Sequence, residues 1–158
     1  MSDQVKQAVM EVRGVLLPLQ AGQLLLPNTS ISEVVGYRQP DSRPQNAPEW
    51  LLGNMSWRQF QVPLINFDLL LDKRQREIGH RARIAICNSI SGLAQRPYIA
   101  ILLRTIPRLA KVTEATIAPM DEPDEPLPMI ARHVSINGQE AWIPDLDALE
   151  TELSRILG

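Results

Sequence analysis

Proline is the residue that most limits what this chain can become, because 13 of the 158 residues are proline. Each one fixes φ, removes an N–H donor and is excluded from helix interiors and central strand positions. The usual share is roughly 5%. Long helices are therefore not expected over most of the chain, and short strands joined by turns are. Apolar residues at 44% and charged residues at 22% are enough for a core and leave no case for global disorder. A length of 158 residues suits one domain or two closely joined half-domains.

The apolar runs fall where that reading needs them. Val12 to Leu19 turns at Gln20-Ala21-Gly22-Gln23 and returns as Leu24-Leu25-Leu26 before Pro27, a hairpin pattern. Ile31 to Val35 mixes apolar and charged residues, and Pro40, Pro44 and Pro48 mark a loop from Arg38 to Pro48. A short helix is expected over Ala47 to Gly53, with Pro48 early enough to be tolerated. A β segment from Met55 through Phe67 follows, then an apolar step, Leu69 to Leu71. Asp72 to Arg83 is charge-rich and reads as a solvated connection. A second hairpin spans Ala82 to Cys87 and Tyr98 to Leu103, with Gly92 in its loop. Leu109 to Thr113 is a further strand, and the acidic, proline-rich Pro119 to Pro128 an exposed loop. Asn137-Gly138 joins strands Ile130 to Ile136 and Glu140 to Ile143. Leu146, Leu149, Leu153, Ile156 and Leu157 then recur at helical spacing, with Asp145 placed to cap and Arg155 near the negative end of the dipole.

An internal echo divides the chain. Ser30-Ile31-Ser32-Glu33-Val34 follows the first hairpin, and Thr105-Ile106-Pro107-Arg108-Leu109 follows the second in the same order of hydroxyl, Ile, any residue, charge and aliphatic. Val62-Pro63 and Ile143-Pro144 each precede an apolar and acidic segment. Two β half-domains built alike would produce both echoes.

The chemistry on offer is sparse. The net charge of -2, with 4% aromatics, is not the footprint of a nucleic-acid binder, although the basic stretch Lys73 to Arg83 makes a small β-barrel for single strands the alternative reading. The eight glycines form no phosphate-cradling loop, so no nucleotide cofactor is expected. His80 and His133 lie apart with no metal-ligand spacing. Cys87, the lone cysteine, excludes an internal disulfide and reads as a buried structural thiol. Asp145, Asp147, Glu150 and Glu152 are read as the cap and polar face of the last helix, not as an acid/base pair. An enzyme whose residues converge from distant parts of the chain is the remaining option. No catalytic residue, metal ligand or cofactor-binding residue is assigned. The uncharged stretch Gly14 to Ser32 is too interrupted to span a membrane and no signal core follows Met1, so a cytoplasmic protein is expected.

One segment stands apart: Pro48-Glu49-Trp50-Leu51-Leu52-Gly53-Asn54-Met55-Ser56-Trp57-Arg58, leading into Val62-Pro63-Leu64-Ile65-Asn66-Phe67. Core packing accounts for Trp50 and Leu51 but not for Arg58, a planar five-donor group suited to a carboxylate or a protein surface. With Ile31-Ser32-Glu33-Val34-Val35 before it, this region resembles the CheW-like domain of bacterial chemotaxis coupling proteins. That family has a V-x-E-[VI] segment, an apolar helix, a glycine, an N-x-R-G turn and an [IV]-P-[VI]-[IV]-[DN]-[LF] strand. The second hairpin and the final Ile143-Pro144-Asp145-Leu146 helix start follow in order, so the resemblance runs from about Val12 to Leu157.

The resemblance implies a mainly β fold of two interlocked, small, SH3-like β-barrel subdomains with a short internal helix, a C-terminal amphipathic helix and a hydrophobic groove between the subdomains. It implies one domain over 12–157 and a flexible extension over 1–11. It also implies a non-catalytic adaptor with no cofactor, bridging the cytoplasmic tip of a methyl-accepting chemoreceptor and the regulatory domain of a CheA-type histidine kinase, and recruited to membrane-associated receptor arrays. Ile31, Glu33, Gly53, Trp57 and Arg58 are carried over as partner-binding positions, with Gly53 in the helix-ending turn and Glu33 near enough to Arg58 to interact. Gln59 stands where the family has glycine, so a turn needing positive φ is expected to be strained or differently built. Arg104 replaces an acidic residue of the family's second half. The Trp57-Arg58 turn resembles coupling proteins of type IV pilus, twitching-motility systems more than those of flagellar ones.

Overall fold

A computed structural model describes residues 11–72, 74, 76–90 and 96–158. Among the described residues eleven strands form two sheets: β1 (Val12–Pro18), β2 (Gln23–Pro27), β3 (Ile31–Gly36), β4 (Leu51–Trp57), β5 (Phe60–Ile65), β6 (Arg83–Asn88), β7 (Tyr98–Leu103), β8 (Arg108–Val112), β9 (Ile117–Pro119), β10 (Ile130–Ile136) and β11 (Gln139–Pro144). Helices α1 (Asp68–Leu71) and α2 (Leu146–Leu157) follow β5 and β11. The mainly β expectation, with one short internal and one C-terminal helix, describes the molecule. Of the expected extension 1–11 all but Glu11 lies outside the described residues, as does the hairpin loop around Gly92.

The sheet orders explain the internal echo. One sheet runs β8-β1-β2-β11-β10-β9 and the other β3-β6-β7-β5-β4. The first hairpin thus belongs to one sheet, while the strand after it, β3, crosses to pair with β6 of the second hairpin. Reciprocally, the strand after the second hairpin, β8, crosses back to pair with β1. Parallel contacts complete the correspondence, β5 beside β7 and β11 beside β2. Each sheet curls into a half-barrel whose strands come from both sides of a crossover, so the two are interlocked. Hereafter the β1-containing unit is the terminal barrel and the β3-containing unit the central barrel.

Three cores account for the runs of consecutive apolar residues. Leu16 and Leu25 point into the terminal barrel with Val134, Ile136 and Ala141. Their neighbours Leu17, Leu24 and Leu26 point the other way, into a shared core with Ile65, Phe67, Ala85, Cys87 and Ile101. Ile84, Ile86 and Ala100 fill the central barrel with Met55, Val62 and Leu64. Strands buried on both faces need apolar residues at every position and lose the period-2 alternation of half-exposed strands. Helix α2 lays Leu146, Leu149 and Leu153 into the shared core. Asp145 accepts the Ala148 N–H at 3.0 Å, which caps α2 as expected.

One expectation fails between Ala47 and Phe67. There is no helix over Ala47 to Gly53. A turn closed by Leu51 N–H donating to the Pro48 carbonyl leads directly into β4. The Arg43 guanidinium takes the Ala47, Pro48 and Leu51 carbonyls, so side-chain bonds replace a helical ladder. Leu51, Gly53, Met55 and Trp57 are buried in alternation, a period of two that the apolar content of the segment concealed. The β segment expected from Met55 to Phe67 is there as part of a hairpin, β4 turning at Arg58-Gln59 into β5. Strand β9, pairing Ile117, Ala118 and Pro119 with β10, was not foreseen.

Gly53 therefore sits inside a strand, not in a helix-ending turn. Its φ is +147°, and a Cβ there would fall 2.7 Å from Pro40 Cβ and closer still to the Ser42 carbonyl. That close approach lets the loop at Asp41-Ser42 cover the outer edge of β4: Asp41 N–H donates to the Asn54 carbonyl at 2.8 Å, and Asn54 N–H to the Ser42 carbonyl at 2.7 Å.

Candidate functional site

The central barrel's sheet has β3 and β4 as its edges, and a side-chain bond closes the gap between them. Trp57, the last residue of β4, donates its indole Nε1–H to Glu33 Oε1 of β3 at 2.8 Å. The ring is only 8% exposed and lies against Met55, Val62 and Leu64. Tyr98 of β7 meets Trp57 edge-on at 4.8 Å, and Phe60 of β5 meets Tyr98 at 5.3 Å. An aromatic wall thus stands at one end of the barrel, with the Glu33 carboxylate at its border.

Arg58 lies on this wall. Its guanidinium carbon is 4.7 Å from the Trp57 ring centroid, and Nη2 is 3.4 Å from Glu33 Oε1. One carboxylate oxygen therefore serves a buried indole donor and a guanidinium that is 70% exposed. The turn geometry produces this placement. Arg58 and Gln59 have φ of 47° and 70°, the paired positive angles of the tight hairpin turn that matches strand twist. The turn that a glycine would have eased is kept here with two side-chain-bearing residues. Left-handed backbone at such positions costs about 1–2 kcal/mol per residue, and the aromatic wall and Glu33 hold it in place.

Of the five positions expected to bind partners, Glu33, Trp57 and Arg58 converge. Ile31 does not join them: it is half-buried, pairs with Cys87 and packs on the shared core. Gly53 serves the loop covering β4. Phe60 and Tyr98, which complete the wall, were not singled out from the sequence, although each is one of few aromatics beside a strand end.

The terminal barrel carries a counterpart of different chemistry. Arg108, which the echo aligns with Glu33, reaches Gln23 Oε1 at 3.1 Å and Gln139 Oε1 at 3.0 Å. The turn equivalent to Arg58-Gln59 is Asn137-Gly138, with φ of 52° and 80°. Where the central barrel shows a carboxylate, an aromatic wall and an arginine, the terminal barrel shows an arginine held by two amides. A mostly apolar groove of about 240 Å³, lined by Val12, Leu25, Leu26, Val112, Ile117 and Ile143, also opens on this barrel.

The other singled-out groups find structural places. Cys87 is fully buried, and burial pushes its thiol up to about 12. His133 stacks on Trp142 with ring centroids 3.7 Å apart and points Nδ1 at the Asp121 carbonyl. His80 lies on an exposed turn of the 72–82 connection. Arg104 is a cross-barrel tie: its N–H and Nε donate to the Pro18 and Leu19 carbonyls at 2.8 and 3.2 Å. Glu150 does not belong to the polar face of α2. It is 9% exposed and accepts the Ile90 N–H at 2.6 Å. Among the described residues no group of His, Cys, Asp and Glu is arranged to hold a metal, and no helix is long and apolar enough to cross a membrane.

Comparison with known proteins agrees with this geometry. Residues 7–153 match the family model described as the CheW-like domain. Among solved structures, the chain is similar to the scaffolding protein TtCheW from Thermoanaerobacter tengcongensis, with a TM-score of 0.67 and 16% identity over 85% of this chain and 89% of that one. No curated protein compared with the chain matches it.

Proposed function

The chain belongs to the CheW-like domain family, and from that premise we propose that it is a non-catalytic adaptor coupling the cytoplasmic tip of a chemoreceptor to the regulatory domain of a CheA-type histidine kinase. The observation that carries this reading is the Glu33–Trp57–Arg58 cluster. It presents an exposed cation on a rigid aromatic wall at the end of one barrel, with a differently charged surface around Arg108 on the other. A bridging protein needs two surfaces that do not compete for one partner, and a carboxylate-paired arginine on an aromatic wall against an arginine held by neutral amides supplies that discrimination. The exposed guanidinium suits a carboxylate-bearing protein surface, since Arg58 already offers more donors than Glu33 accepts.

The domain is taken as 12–157, acting at the membrane-associated arrays where such receptors gather. The Trp57-Arg58 turn supports a type IV pilus, twitching-motility system over a flagellar one. The single-strand nucleic-acid alternative loses ground in the same geometry. Arg76 of its basic stretch is held by Asp72 at 2.5 Å, an ion pair that turns part of the charge inward.

The test is Arg58→Glu, titrated calorimetrically against the regulatory domain of the CheA-type kinase that co-purifies from the native cell. Affinity is expected to fall by about tenfold or more, the range of a lost charge-assisted contact, with the melting temperature nearly unchanged because the pair is exposed. Equal affinity of variant and wild type would overturn the assignment of this surface.

A further inference from the structure

Two buried carboxylates occupy corresponding places in the interlocked fold. Asp68 opens α1, the helix after β5, the strand that runs parallel to β7 in the central barrel, and is 7% exposed. Its Oδ1 accepts the N–H of Ala21 at 2.6 Å, and Ala21 lies in the hairpin turn of the terminal barrel. Glu150 lies in α2, the helix after the last parallel-paired strand of the terminal barrel, and is 9% exposed. Its Oε2 accepts the N–H of Ile90 at 2.6 Å, and Ile90 follows β6 in the hairpin of the central barrel. Each barrel therefore sends one carboxylate across to a turn amide of the other.

Burying a carboxylate is costly unless its charge is answered by donors, and short charge-assisted bonds to backbone N–H groups are among the strong ones. Neither bond is needed to finish a strand ladder, because both amides lie beyond the paired registers of their hairpins. Both instead tie units that otherwise meet mainly through apolar side chains of the shared core, which resist separation but fix orientation weakly. Around the first turn the tie is reinforced by Arg104 on the Leu19 carbonyl and by the Gln20 side-chain amide donating to the Glu77 carbonyl at 2.8 Å.

We propose that Asp68 and Glu150 are reciprocal latches that hold the two barrels in one mutual orientation. They are positioning residues for the adaptor, and this consequence rests on the function proposed above. With both closed, the Glu33–Trp57–Arg58 surface and the Arg108 surface keep a fixed relation. If one opens, the barrels turn on the shared core and strain the other latch, so events at one end reach the other.

The experiment is amide hydrogen exchange on Asp68→Asn and Glu150→Gln, variants that keep an acceptor oxygen and remove only its charge. The latch predicts cross-effects. Asp68→Asn speeds exchange at Ile90 as well as at Ala21, and Glu150→Gln speeds it at Ala21 as well as at Ile90, each by about tenfold, while circular dichroism stays that of wild type. Acceleration confined to the variant's own amide would mean two independent local caps and overturn the proposal, as would unchanged exchange at both. A variant that does not fold is replaced by wild type at graded low urea, where the two amides must share one opening free energy and one urea dependence; different values again overturn it. Partner binding separates the two readings. If Arg58→Glu weakens kinase binding while exchange is uncoupled, the latch alone fails; coupled exchange with no effect of Arg58→Glu sinks only the assigned surface.

Discussion

Replacing Glu33 by alanine removes the acceptor on which the closure of the central barrel depends, and its cost follows from the geometry. The Trp57 indole is 8% exposed and donates to Glu33 Oε1 at 2.8 Å. A buried donor left without a partner costs about 1–3 kcal/mol. Because the Glu33 side chain is 40% exposed, water can enter where the carboxylate was, which places the cost in the lower half of that range. The ion pair with Arg58, whose guanidinium is 70% exposed, adds close to nothing to folding. Glu33→Ala is expected to lose about 1–2 kcal/mol, a melting-temperature drop of roughly 2–8 °C for a chain of this size. Urea unfolding followed by tryptophan fluorescence measures it, with the slope unchanged. Arg58→Ala should lose under about 1 kcal/mol, the sum of an exposed ion pair and an exposed cation–π contact. A double-mutant cycle of Glu33→Ala with Trp57→Phe should show about 1 kcal/mol of coupling. Equal losses for Glu33→Ala and Arg58→Ala, with no coupling to Trp57, would refute the claim that the carboxylate serves the fold through the indole and the partner through the arginine.

Gln59→Gly should stabilise the protein by roughly 0.5–1 kcal/mol in the same urea assay, since relief at φ of 70° exceeds the added freedom of the unfolded chain; a less stable variant would show that the Gln59 side chain contributes to the fold. Cys87 should resist thiol reagents until the protein is unfolded. Below the unfolded thiol's pKa of 9.0 both states keep the proton, but as pH rises from there towards about 12 only the unfolded chain ionises, so stability should fall over that window in wild type and less in Cys87→Ala.

Much of the architecture is legible in local pattern. The glycine turn between Leu19 and Gln23, the Asn137-Gly138 turn and the spacing of Leu146, Leu149 and Leu153 are signals that a few neighbouring residues complete among themselves. The echo between Glu33 and Arg108 was also visible, and the crossovers give it a physical meaning. Ala47 to Gly53 misled because Trp50, Leu51 and Leu52 suggest a helical face, whereas the deciding partners, Ile65 across the sheet and the Arg43 guanidinium over the carbonyls, lie elsewhere in the chain. At the candidate site, Glu33 and Arg58 were foreseen as neighbours, but the indole between them was not. Trp57 Nε1 reaches Glu33 only because the sheet curls until its two edge strands meet.

The sequence by itself determined a chain of short β elements with one long amphipathic helix at its end, bearing the motifs of the CheW-like domain family. Those properties follow from residue type and near neighbours: proline's missing donor, glycine's free φ and the period of the apolar residues. Tertiary structure alone decided which hairpin each crossing strand joins and that a carboxylate on each helix reaches a turn amide of the opposite barrel. The physical reason is that these are choices between partners of similar local quality, settled only when burial of one shared core makes a single arrangement satisfy every strand and buried charge at once.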